Sequence, residues 1–244
     1  MEGPALRGAE VAKARAWLLP STATGPVAWR YRVSDPIDRM GRVRPVYGGR
    51  RVRPEESLVE LHDLLHRRQS SRDFRPKPVS DDDLVELLWA AQGATSHGRR
   101  TTPSAQGRYP LQLVVARGPR PAGTWTWESG NQVLRARATH DVRSRLAAAA
   151  IGDQPWIGTA PVTVALCADV GGMVDHFAHQ PPGDRGRRYV DVEIGAAVQN
   201  LALSATARGL AGVIVGGFDD ALVADILELG ALEPRLLFSL GQPG

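Results

Sequence analysis

Apolar residues recur at helical spacing in three stretches and alternate or run continuously in five others. Leu58, Leu61, Leu64 and Leu65 predict a helix behind Pro54. Leu84, Leu87, Leu88 and Ala91 predict a second, with Ser80 as cap, Asp81, Asp82 and Asp83 in the positive first turn, and Gly93 as its stop. From Tyr189 to Arg208 one long helix is predicted, apolar or small on most faces and ended by Gly209. Strands are expected over Leu111–Ala116, Val162–Ala168, Ala211–Val215 and Leu236–Leu240. A hairpin is expected where Trp125 and Trp127 alternate with Thr124 and Thr126, turn at Ser129-Gly130-Asn131, and return through Val133 and Leu134. Asp141–Ala150 and a segment capped by Asp219 and running to Leu229 read as shorter helices. Residues 94–110 read as a polar loop and 170–188 as a long connection. This order lacks a clean βαβ alternation, so the expected fold class is α+β rather than a doubly wound sheet.

Composition adds a boundary. The chain of 244 residues carries a net charge of +4, but residues 1–53 hold eleven basic and four acidic side chains. We read 1–53 as a basic N-terminal extension and 54–244 as the domain. The extension lacks a nucleic-acid motif, so a solvated or dimer-wrapping arm is the favoured reading over DNA binding. Cys167 is the single cysteine, which excludes a disulfide scaffold and a cysteine zinc site. No run reaches the ~18 apolar residues of a membrane helix, and Arg7, Glu10, Lys13 and Arg15 interrupt any secretory signal. The expected setting is cytoplasmic.

Dinucleotide, P-loop and nucleophile-elbow signatures are missing. His62 and His66, four apart, and His176 and His179 lack further ligands, so no metal is expected. Cys167 reads as a small core residue. Arg68, Ser70 and Arg72 alternate, and in an extended segment they would share one face, as a comb of two guanidiniums and a hydroxyl suited to phosphate. Gly216-Gly217-Phe218-Asp219 joins a strand to a helix, where glycines let backbone approach a ligand.

In order, Arg68-Gln69-Ser70-Ser71-Arg72, Leu88-Trp89-Ala90-Ala91-Gln92-Gly93, Pro103-Ser104-Ala105 with Tyr109-Pro110, Ala160-Pro161-Val162, Arg188-Tyr189, Gln199-Asn200-Leu201 and Val215–Asp220 resemble the FMN-dependent nitroreductase superfamily. The likeness is closer to its SagB-type branch of azoline dehydrogenases. It spans about residues 57–241. The resemblance implies a nitroreductase-like α+β fold with a central mixed, mostly antiparallel sheet flanked by helices, in a homodimer with FMN at the subunit interface. By family pattern Arg68, Ser70 and Arg72 would hold the phosphate and ribityl chain. Pro103, Ser104 and Ala105 would line the ring from the other subunit, Gly216 and Gly217 would bring backbone against it, and Gln154 is a further flavin contact. Arg188 and Tyr189 stand where azoline dehydrogenases carry a Lys-Tyr pair. Because arginine stays protonated, Tyr189 would relay a proton while Arg188 stabilises negative charge.

Two departures matter. The C-terminal Lys/Arg pair of many nitroreductases is replaced by Gly241-Gln242-Pro243-Gly244, and Gln106-Gly107 follows the Pro-Ser motif. The implied activity is oxidation of azolines to azoles in a ribosomally made peptide, with a peptide substrate and a cyclodehydratase as partners. The connection 171–188 and the Trp125/Trp127 hairpin are its expected substrate contacts. An NAD(P)H-dependent flavin reductase and a flavin-poor scaffold subunit remain as alternatives.

Overall fold

The structure, a computed structural model, describes residues 61–95 and 98–244. The basic extension and the expected domain start at Pro54 lie outside the described residues.

The chain order is α1 (Leu61–Arg67), α2 (Asp81–Gln92), β1 (Leu111–Arg117), β2 (Gly123–Glu128), β3 (Val133–Ala138), α3 (Arg143–Ala148), α4 (Trp156–Thr159), β4 (Val162–Ala168), α5 (Val170–His176), α6 (Arg185–Ala207), β5 (Ala211–Val215), α7 (Asp220–Ile226) and β6 (Glu233–Gly241). The six strands lie in the order β3-β2-β1-β4-β6-β5, and every ladder between neighbours is antiparallel. Among the described residues the expected mixed character survives as one parallel bridge, Ser70 to Gly212, on the outer edge of β5.

All seven residues of the central strand β4 are buried, as a strand covered on both faces must be. Its alternate side chains feed two cores. Val162, Val164, Leu166 and Ala168 pack with Leu84, Leu87 and Leu88 of α2, Met173 of α5 and Val190, Ile194, Ala197 and Leu201 of α6. Ala165 and Cys167 pack on the other face with Leu146, Ile157 and Val223 from α3, α4 and α7. Burial pushes the Cys167 thiol up to about 12, which leaves it inert as a nucleophile. Within the sheet, the buried hydroxyls of Thr163 and Ser239 satisfy each other at 3.0 Å across the β4–β6 ladder.

The caps act as the sequence implies at both acidic starts. Ser80 Oγ accepts from Asp83 N at 3.1 Å, and Asp219 Oδ1 accepts from Leu222 N at 2.9 Å. Gly93 differs: its backbone is extended (φ −68°, ψ 147°), not left-handed. Glycine is needed there because a Cβ would fall 2.1 Å from Trp89 Cδ1. The connection 170–188 also differs, because α5 occupies its first part and α6 begins at Arg185. The Trp125/Trp127 hairpin forms as β2–β3, but Trp127 is buried in the core at 1% exposure and is closed to substrate.

Candidate functional site

The expected site residues fall into two groups on one chain. The first gathers along the β5 edge. After α1 the chain straightens, Ser71 N donates to Gly212 O at 3.1 Å, and Ser70 bridges the same strand. The segment thereby presents half-buried Arg68 and exposed Ser70 and Arg72 beside the edge. Arg72 lies over the Trp156 ring of α4, 5.2 Å from its centroid. Neither Arg68 nor Arg72 has an ion-pair partner among the described residues.

At the end of β5, Gly217 O accepts from Ile151 N at 2.9 Å and from Gln154 Nε2 at 3.0 Å. Gln154 also donates to Ile151 O at 2.9 Å. The structure thus brings Gln154 onto the Gly216-Gly217 turn. Exposed Ile151 adds an apolar wall there at 68% exposure. The turn is open on its Gly216 side: a Cβ at that position would meet only Leu236 Cδ2, at 3.3 Å.

The second group surrounds Pro103, Ser104 and Ala105, on the loop entering β1. Gln106 and Tyr109 hold left-handed φ of 51° and 49° without being glycine. Such conformations are costly and concentrate where backbone is held for a purpose. Tyr109 N donates to Ser104 Oγ at 2.8 Å, and Arg100 N donates to Tyr109 Oη at 3.3 Å. Behind the loop lies a polar network inside the apolar core. Glu193, 1% exposed, accepts from Gln92 Nε2 at 3.3 Å through Oε1, while its Oε2 has no hydrogen-bond partner among the described residues. Burial pushes this carboxyl above its ordinary range, opposed by Ser104, Gln92 and the Arg100 charge. Gln92 in turn accepts from Arg100 at 2.8 Å. The network was missed in sequence, although Glu193 falls on the same α6 stripe as Val190, Ile194 and Ala197, where a carboxylate is out of place.

Arg188 is exposed at the start of α6. Tyr189 next to it is half-buried, packs edge-on against Phe177 at 4.7 Å and donates its hydroxyl proton to Gln180 Oε1 at 2.7 Å. His176 Nε2 and Gln106 Oε1 are 2.9 Å apart, so α5 touches the Pro103–Tyr109 loop. Among the described residues no cluster of three or more metal-ligating side chains occurs, and no helix is long and apolar enough to cross a membrane.

An antiparallel six-stranded sheet between two helical layers, with an arginine-serine edge and a glycine turn at one end, defines an α+β oxidoreductase fold of the nitroreductase type. The chain belongs to the nitroreductase family, whose pattern it matches over residues 65–242. It is 32% identical over 195 residues to a protein of Methanocaldococcus jannaschii named for its likeness to nitroreductases, covering 78% of this chain and 94% of that one. A nitroreductase-like protein of Ralstonia eutropha is similar in structure with a TM-score of 0.65 and 27% identity, covering 93% of this chain and 95% of that one. A chain of the E. coli microcin synthetase McbBCD complex, solved with truncated pro-MccB17 bound, shares the fold at TM-score 0.59 and 19% identity over 87% of this chain and 79% of that one. Members of the family generally bind a flavin.

The residues present fit such a group. Arg68 and Arg72, without counter-charges among the described residues, lie beside the β5 edge and could neutralise a phosphate there, and the exposed Gly216 could let a flat ring lie against backbone.

Proposed function

We propose that the protein is an FMN-dependent two-electron oxidoreductase whose substrate is an azoline ring in a ribosomally made peptide. The observation that carries the cofactor assignment is that Arg68 and Arg72 have no ion-pair partner among the described residues, with Arg72 seated on Trp156 of the helix that follows Gln154, the residue bonded to the Gly216-Gly217 turn. Bound FMN would supply hydride-accepting chemistry. Arg68, Ser70 and Arg72 would neutralise and orient its phosphate and ribityl chain, and Pro103, Ser104 and Ala105 of a second copy would close over the ring. Arg188, permanently protonated and exposed, would stabilise negative charge on the substrate. Tyr189 would relay the proton, passing its own phenolic proton on towards solvent as it takes the one leaving the substrate, and to do so it must turn away from Gln180, whose amide oxygen now accepts its O–H. The fold shared with a chain of the McbBCD complex supports a peptide substrate and a cyclodehydratase partner. In this reading the substrate contacts are the α5–α6 turn, half-buried Trp125 and the exposed face of Ile151.

The relative in M. jannaschii favours a second reading, an NAD(P)H-dependent nitroreductase-like enzyme on the same site. Purified protein given FMN, an azoline peptide and dioxygen, which reoxidises the reduced flavin to give hydrogen peroxide, should yield product lighter by two hydrogens in mass spectrometry, and Tyr189→Phe should lose most of that turnover while keeping FMN. Rapid bleaching of the flavin by NAD(P)H with no change in the peptide would select the second reading. A protein that takes up no flavin would defeat both.

A further inference from the structure

We propose that the cleft between residues 98–101 and 103–109 is a binding site for an oxyanion, a phosphate monoester or a carboxylate, with Arg100 as its principal donor. The cleft has a volume of about 590 Å³ and is lined by Arg99, Arg100, Thr101, Ser104, Gly107 and Tyr109 among others, with no carboxylate on its surface. A water molecule occupies roughly 30 Å³ of liquid, so the space admits an oxyanion carrying a substituent.

Arg100 is half-buried. Its side chain donates to one acceptor, the neutral Oε1 of Gln92 at 2.8 Å. It forms no ion pair among the described residues. The Glu193 carboxyl behind Gln92 acts on Arg100 and on Ser104 of the lining and offsets part of the guanidinium's desolvation, but it forms no ion pair with Arg100. A partly desolvated guanidinium with donors unspent is an unfinished arrangement, and the missing component is an anion on the open side. The fork is also held in advance. Its plane rests 4.8 Å from the centroid of the Tyr109 ring, and that ring is fixed through its own N–H to Ser104 and its hydroxyl from Arg100 N. Holding the donor in place removes ordering cost on binding. Arg99, exposed at the rim, adds a second positive charge.

The same chemistry has two sources. One is the phosphate of a flavin mononucleotide carried by a second copy, which Arg100 would then share with that copy's Arg68 and Arg72 in place of the C-terminal cations. The other is a separate anionic ligand. The full chain, in flavin-free and FMN-loaded forms, is titrated calorimetrically with inorganic phosphate and with acetate. In the flavin-free form Arg100→Gln should weaken phosphate binding by about tenfold or more, the loss of a charged hydrogen bond, and Arg100→Lys should recover part of it. Phosphate bound only by the flavin-free form, with Arg100→Gln weakening FMN but not riboflavin, identifies the cofactor phosphate as occupant. Phosphate or acetate bound by both forms identifies a separate ligand. If Arg100→Gln does not fold, Arg99→Gln at the exposed rim carries the same comparison with a several-fold loss. Flavin-free protein in which both variants bind phosphate and acetate as the unaltered chain does overturns the proposal. That arm needs no flavin and no turnover, so it stands or falls apart from the redox reading.

Discussion

Glu193 places a carboxyl within the largest apolar core, and the sign of its effect on stability follows from its surroundings. Burial pushes its pKa above the usual 4.5, against Ser104, Gln92 and Arg100. The folded state therefore binds a proton more readily than the unfolded chain. The stability tied to that proton is fully present below the unfolded value and is lost as pH rises through the folded one. Each unit of upward displacement is worth ~1.4 kcal/mol at neutral pH. Glu193→Gln keeps an acceptor for Gln92 and removes the charge. The variant should match the parent near the ordinary carboxyl pKa and become the more stable of the two as pH rises, in urea midpoints across pH 4 to 8. A difference that does not vary with pH would show that the carboxyl is not held out of its ordinary range. Asp141 behaves oppositely: the hydrogen bond from Arg143 holds it below its usual range, so its contribution is lost as pH falls. Comparing the two chains at each pH cancels that contribution.

The helix pair α5–α6 shows what propensity alone does not supply. Gly186, in the first turn of α6, would place a Cβ 2.3 Å from both the carbonyl carbon and oxygen of Met173 and 2.5 Å from Val174 N, all backbone atoms that cannot step aside. In an exposed helix, glycine to alanine gains up to ~1 kcal/mol. Here overpacking, at ~1–3 kcal/mol, outweighs that gain, so Gly186→Ala should lower stability by about 1–2 kcal/mol and loosen the Tyr189 hydroxyl from Gln180 one turn on. A variant as stable as the parent would mean that the two helices are free to slide. The same pair explains which elements could be read in advance. The strands, α2 and most of α6 were legible because alternation, Ser80 and Gly209 are local signals. Helix α5 was not: Gly171-Gly172 reads as a breaker. It forms because Met173 and Phe177 are buried in the core shared with α6 and the Asp169 carboxylate accepts from Gly172 N at 2.8 Å. The extended Ser70–Ser71 segment and the Gly216-Gly217 turn were likewise local patterns. The Arg100–Gln92–Glu193 network was not, because it joins segments up to 101 residues apart, and no window of sequence holds both ends.

Across the whole molecule, the Gly216-Gly217 turn and the Pro103–Ala105 loop lie at the same end of the sheet, because the start of β1 and the start of β6 both pair with Ala168. They are nonetheless three strands apart, from β1 across β4 and β6 to β5, which is about 14 Å at the usual strand spacing. They also adjoin opposite cores: Ala105 packs against the α2–α6 layer, and Phe218 belongs to the α3–α7 layer. If, as proposed above, a second copy supplies the loop, each chain gives the comb and turn to one site and the loop to the other, as two-fold symmetry dictates. This arrangement makes a quantitative prediction. Arg68→Ala with Arg72→Ala on one chain, and Ser104→Leu on another, should each bind FMN poorly alone. Mixed and allowed to exchange at equal amounts, about half the dimers are heterodimers, and one of their two sites carries both lesions while the other carries none. FMN capacity should then return to about a quarter of the unaltered protein, read by equilibrium dialysis, with a single mass in sedimentation. A site contained within one chain recovers nothing on mixing, so the absence of any recovery in a mixture shown to have exchanged would place the whole flavin on a single protomer.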